Sequence, residues 1–170
     1  MPPAPAVTLV MGVAGAGKST VARALATALD AEVLDGDDLQ PAANIERMRR
    51  GIPLDDATRR PWLLALRSAI DEHVVAGRPV VVASSALKGA YRELLLTGLP
   101  DAVVVHLRPD RATLERRLRS RPDHFMPATL LDSQLADLEP PSGAIVVDGD
   151  PDVPSAVATI LRSLAGTRRR

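Results

Sequence analysis

Val7-Thr8-Leu9-Val10-Met11, a run that is apolar but for one threonine, leads straight into Gly12-Val13-Ala14-Gly15-Ala16-Gly17-Lys18-Ser19, and a helical pattern begins at Lys18. This is the spacing G-x-x-x-x-G-K-[ST] set between a strand and a helix, the context in which it carries structural meaning. Glycines let the backbone curl so that successive N–H groups face one anion, and the helix that follows presents its positive end to the same point. The spacing predicts a phosphate cradle over Gly12, Val13, Ala14, Gly15, Ala16, Gly17, Lys18, Ser19 and Thr20. Lys18 is expected to reach the β- and γ-phosphates of a nucleotide, and the Ser19 hydroxyl to offer an oxygen to magnesium.

The rest of the chain repeats the strand-then-helix rhythm. Valine-rich apolar runs recur at 32–34, 80–83, 103–107 and 144–147. Between them lie helical patterns at about 18–29, 44–50, 58–76, 90–96, 111–120, 129–138 and 155–164. Near-continuous apolar strands alternating with helices imply an α/β fold, a five-stranded parallel sheet covered by helices on both faces and joined by right-handed crossovers. Ligands in such sheets sit beyond the carboxyl ends of the strands. The segments expected there are the glycine loop, Asp35-Gly36-Asp37, Ser84 to Lys88 and Asp148-Gly149-Asp150.

Composition narrows the partners. At 170 residues, 46% apolar and 25% charged, the chain is expected to form one globular domain. Acidic and basic residues balance at 21 each, so no net field favours nucleic acid or an anionic membrane, and a small-molecule partner is expected. The absence of cysteine removes disulfides, thiolate nucleophiles and cysteine zinc sites, and fits a cytoplasmic setting. The Pro-rich start lacks the basic-then-apolar pattern of a signal peptide, and no apolar run reaches the ~18 residues of a membrane span. Lys18 and Lys88 are the only lysines among the 21 basic residues, which marks both as places where a compact charge is wanted over a planar fork. The closing Arg168 to Arg170 triplet is read as a solvated end.

Asp35-Gly36-Asp37 puts two carboxylates at a strand end with no bulky side chain between them. Phosphoryl transfer needs metal charge on the phosphates and a group that orients the acceptor hydroxyl and takes its proton. Asp35 is assigned to the magnesium shell and Asp37 to the acceptor hydroxyl; the competing reading is an Asx-type turn with Asp38 as a helix cap.

Several further segments, in order and spacing, resemble the gluconate kinases among the P-loop small-molecule kinases, a group that includes shikimate and adenylate kinases. They are Asn44-Ile45-Glu46-Arg47-Met48, Arg59-Arg60-Pro61-Trp62-Leu63, Ser85-Ala86-Leu87-Lys88, Tyr91-Arg92-Glu93, His124-Phe125-Met126-Pro127 and Ser133-Gln134, besides the glycine loop and Leu34-Asp35-Gly36-Asp37. The resemblance implies a three-layer P-loop kinase fold with a mobile lid, and ATP- and Mg2+-dependent phosphorylation of the primary hydroxyl of D-gluconate in a family commonly dimeric. Gln40, Ser84 and Thr58 stand where that family usually has histidine, cysteine and an acidic residue, departures near the acceptor rather than the phosphates.

An acceptor with a carboxylate and several hydroxyls calls for an arginine fork and side-chain amides. Arg59, Arg92, Lys88, Asn44 and Gln134 are the candidates, against the alternative that each arginine is a solvated surface group. Arg116, Arg117, Arg119 and Arg121 lead into the expected lid at about 121–127, and Arg117 and Arg121 are the expected catalytic cations. Lowered onto the phosphates, they neutralise charge and exclude water. His124 is read as a packing group, Trp62 and Phe125 as core or lid anchors. Two other readings stay open: a shikimate-kinase-like enzyme for another small hydroxy acid, and a nucleotide-binding switch with no acceptor.

Overall fold

Val7–Met11 forms β1, and all five residues are buried, as a strand must be when helices cover both its faces. The computed structural model describes residues 3–99, 101–121 and 127–167. After β1 come α1 (Lys18–Leu29), β2 (Glu32–Asp35), a 3₁₀ turn (Gly36–Leu39), α2 (Ala42–Arg49), α3 (Asp56–Val75) and β3 (Val80–Ala83). The chain continues through α4 (Gly89–Leu96), β4 (Ala102–Arg108), α5 (Arg111–Arg119), a 3₁₀ turn (Ala128–Leu130), α6 (Leu131–Asp137), β5 (Ile145–Asp148) and α7 (Val153–Thr167).

The five strands make one parallel sheet in the order β2-β3-β1-β4-β5, with β1 at the centre and Val7 paired to Val80 on one side and Ala102 on the other. Successive residues of β1 feed opposite cores. Val10, with Val81 and Val105, packs against Val21 and Leu25 of α1 and Ile160 and Leu164 of α7. Val7, Leu9 and Met11, with Val82, pack against Trp62, Leu66 and Ile70 of α3 and Leu95 of α4. Each full burial of a Leu or Ile in these layers contributes about 1.5–3 kcal/mol, so the sheet edge that carries the loops is fixed from both faces.

Element boundaries follow local capping. The α3 helix begins two residues before its expected start at Thr58, because the Asp55 side chain accepts from Thr58 N at 2.8 Å and caps the first turn. The expected helix at 129–138 divides into the 3₁₀ turn Ala128–Leu130 and α6. Residues 122–126 of the expected lid, with His124 and Phe125, and the terminal Arg168 to Arg170, lie outside the described residues. Among the described residues no helix is long and apolar enough to cross a membrane.

Candidate functional site

The glycine loop joins β1 to α1, and Gly17, the residue before the helix, has φ 90°, a left-handed conformation that glycine adopts without strain. The loop is thereby turned back over the helix N-terminus. Lys18 is half-buried there and donates from Nζ to the Val13 carbonyl at 3.1 Å. Burial drives its pKa below the ordinary lysine value; Asp37 and Asp35 oppose that shift and Arg121 adds to it. Lys18 and Arg121 thus stand as two cations beside the acidic pair, an arrangement that can take up an anion.

The acidic pair emerges from β2 directly beside this loop. Asp35 Oδ2 accepts from Ser19 Oγ at 2.6 Å, while its Oδ1 accepts from the Asp37 amide at 3.1 Å. The Asx-type turn and the contact with the phosphate loop are thus one arrangement, and Asp35, not Asp38, caps the 3₁₀ turn. Gly36 is required by space: a Cβ there would stand 2.9 Å from Ala83 O and 3.3 Å from the Trp62 ring. The Trp62 indole, buried at 3% exposure, donates to the Gly36 carbonyl at 2.7 Å and pins the peptide between the two aspartates. Sequence reading classed Trp62 as an anchor and gave it no link to the acidic pair; its place in Arg-Pro-Trp-Leu was the available signal.

Two clefts open on this edge. The first is lined by Lys18, Ser19, Asp37, Arg59, Trp62 and Gln134, with Gln40, Met48, Leu54, Ser85 and the loop residues Ala14, Gly15 and Gly17. The second runs between Thr20, Arg108, Pro109, Arg117, Gly149 and Pro151. Gly17 and Arg121 line both, so one elongated anion can pass from one cleft to the other across the phosphate loop.

The remaining candidates fall around these clefts. Gln134, on α6, accepts from the Ala14 amide at 2.7 Å and so grips the phosphate loop itself. Asn44 is buried behind the lining, donating to Gln40 Oε1 at 3.1 Å and to the Thr58 carbonyl at 2.9 Å, which joins α2 to the start of α3. Arg59 pairs with Asp137 at 3.1 Å. Lys88 pairs with Asp56 at 3.0 Å, outside the lining of either cleft. Arg92 donates to the carbonyls of Ala86, Leu87 and Glu139 at 2.8–2.9 Å and braces the turn after β3, where Ala86 has φ 42°. Arg117 donates to the Gly15 carbonyl at 3.0 Å and also pairs with Asp150, in the segment expected at this edge after the last strand. Serine hydroxyl and carboxylate oxygens are the hard donors that Mg2+ prefers, so Ser19 and Asp35 fit that ion.

Residues 7–141 match the family described as AAA domain. Among curated proteins, the chain is 46% identical to a gluconokinase of Gluconobacter oxydans, covering 88% of this chain and 86% of that protein. It is 39% identical to the thermoresistant gluconokinase of Escherichia coli, over 90% of each. Among solved structures, a gluconokinase from Sinorhizobium meliloti superposes with a TM-score of 0.85 at 38% identity, covering 97% of this chain and 94% of that one.

Proposed function

This chain belongs to the gluconokinase family, and from that premise we propose that it transfers the γ-phosphoryl group of ATP to the primary hydroxyl of D-gluconate, giving 6-phospho-D-gluconate and ADP. The observation that carries the reading is the pair of clefts meeting at Gly17 and Arg121, with Asp37 and Arg59 lining the first cleft and not the second. The nucleoside end of ATP occupies the cleft of Thr20, Arg108 and Pro151, its phosphates cross the loop, and gluconate occupies the cleft of Asp37 and Arg59.

Asp37 accepts the proton of the attacking hydroxyl as its oxygen bonds to the γ-phosphorus, and the bond from that phosphorus to the bridging oxygen of ADP breaks. Lys18 and Arg121 hold the charge that spreads over the transferring group. Ser19, with Asp35 beside it, would hold Mg2+, and that ion would add charge neutralisation on the phosphates. The Arg59 guanidinium pairs with the gluconate carboxylate at the far end of the acceptor, and so places the terminal hydroxyl, not an inner one, at Asp37. Gln134 offers an amide to the acceptor while it steadies Ala14.

An acceptor series with product analysis tests this. D-gluconate is expected to be phosphorylated on its terminal oxygen, and shikimate and shorter sugar acids to be far poorer substrates. Phosphate appearing on an inner hydroxyl, or equal turnover across the series, refutes the assignment of the acceptor cleft.

A further inference from the structure

Arg59 is held by one corner. Its Nη1 donates to Tyr91 Oη at 2.9 Å and to Asp137 Oδ2 at 3.1 Å. That nitrogen carries two hydrogens, so both are committed. Among the described residues no hydrogen bond reaches its Nε or Nη2. The edge left over is the one whose two parallel N–H bonds match the two oxygens of a carboxylate. The side chain is only 12% exposed and lines the acceptor cleft, so its freedom to turn that edge elsewhere is small.

The corner itself is braced from a third element. Tyr91, on α4, donates to Asp56 Oδ1 at the start of α3, and Lys88 donates to the same oxygen at 3.0 Å. The Arg59 and Lys88 cations stand 5.4 and 5.7 Å from the centre of the Tyr91 ring. Tyr91 is thus fixed through its hydroxyl and its face, with 7% of its surface exposed.

We propose that Tyr91 and Asp137 are positioning residues for the acceptor: by occupying both hydrogens of Arg59 Nη1 they present its Nε–Nη2 edge to the acceptor's carboxylate. This rests on the reading of Arg59 given under the proposed function. Asp137 also brings negative charge towards the incoming carboxylate, whereas Tyr91 does not, so Tyr91→Phe removes the orienting contact without a change of charge, and the Arg59→Ala background separates it from the loss of the Tyr91–Asp56 bond.

Steady-state kinetics of Tyr91→Phe, Asp137→Ala, Arg59→Ala and the Tyr91→Phe/Arg59→Ala double variant decide the matter. Loss of a hydrogen bond to a charged group predicts a rise in KM for gluconate of about tenfold in Tyr91→Phe, with kcat and KM for ATP within about twofold of the unaltered protein. In the Arg59→Ala background the same change is expected to add nothing, since Tyr91 then has no guanidinium to orient. Asp137→Ala is expected to raise KM by less, because relief of repulsion offsets part of the loss. An unchanged KM in Tyr91→Phe, or an equal rise without Arg59, overturns the positioning role while leaving the Arg59 reading intact. A lower KM in Asp137→Ala overturns the role of that residue. An unchanged KM in Arg59→Ala itself overturns both the proposal and the reading beneath it.

Discussion

One uninterrupted stretch, Gly12 to Ser19, builds the phosphate cradle, whereas the acceptor cleft takes Asp37 from the 3₁₀ turn after β2, Met48 from α2, Arg59 and Trp62 from α3, Ser85 from beyond β3 and Gln134 from α6. The cradle is shaped by its own backbone and by the helix that follows, with Gln134, Arg117 and Asp35 bonded to it from outside. The acceptor cleft is held by contacts between elements: Trp62 on the Gly36 carbonyl, Asn44 on the Thr58 carbonyl, and Asp137 on Arg59. The difference implies that a change in the cradle acts on the phosphates directly. In the acceptor half a change can act at a distance, through whichever element it loosens.

The largest expected effect breaks the two halves apart cleanly. Asp37→Asn keeps the shape of the acceptor half and removes the carboxylate proposed as base, so turnover should fall by about 10²- to 10⁴-fold while ATP binding, measured by calorimetry, stays unchanged. A fall smaller than about tenfold removes Asp37 from the role of base.

Lys18→Met is the matching change in the cradle. Loss of one preorganised charge predicts a decrease of about 10²- to 10³-fold in kcat, equivalent to about 2.7–4 kcal/mol. Stability should move the other way. Because burial lowers the Lys18 pKa in the folded chain, the group destabilises the unliganded protein wherever lysine is protonated, and that penalty is relieved only as pH rises through the lowered value. The unliganded variant should therefore melt higher than the unaltered protein at neutral pH and gain less from added ATP. A lower melting temperature for unliganded Lys18→Met contradicts the idea that burial of this cation opposes folding.

Gly36→Ala sharpens the claim that the acceptor half depends on fit between elements. A Cβ only 2.9 Å from the Ala83 carbonyl forces β2 and β3 or the Trp62 side chain to shift, at a cost of about 1–3 kcal/mol. In a chain of this size each kcal/mol lowers the melting temperature by about 2–4 °C, readable by calorimetry. An unchanged melting temperature means that the close packing of the acidic turn is not a constraint.

Gln134→Ala gives the smallest effect and probes the contact by which α6 reaches the cradle. The Ala14 amide loses its acceptor, worth about 1 kcal/mol, so apparent affinities for ATP and gluconate should both weaken by a few-fold. A change confined to one ligand shows that α6 serves only one cleft.

Legibility in the sequence followed the same division. The phosphate loop, the strands and most of α1, α3 and α7 rest on local patterns, because glycine spacing, apolar runs and helical periodicity lie within a few turns of chain. The acidic pair was legible as chemistry, but the Ser19–Asp35 contact that couples it to the loop spans the β2-β3-β1 order, which no local pattern encodes. Arg59 was singled out by its chemical type, yet Asp137 and Tyr91, which hold it, lie on α6 and α4 and meet it only in the folded chain. Lys88 drew attention through the scarcity of lysine; in the fold it pairs with Asp56, a partner that composition does not reveal. The early start of α3 was within reach, since Asp55 precedes Thr58 by the three residues that a capping side chain spans.

The account as a whole depends on the two clefts acting on one reaction, and ADP release by the unaltered protein measures that directly. With saturating ATP and magnesium, ADP is predicted to form at a rate set by the concentration of D-gluconate, with one 6-phospho-D-gluconate for each ADP. ADP that appears equally fast with and without gluconate would contradict it.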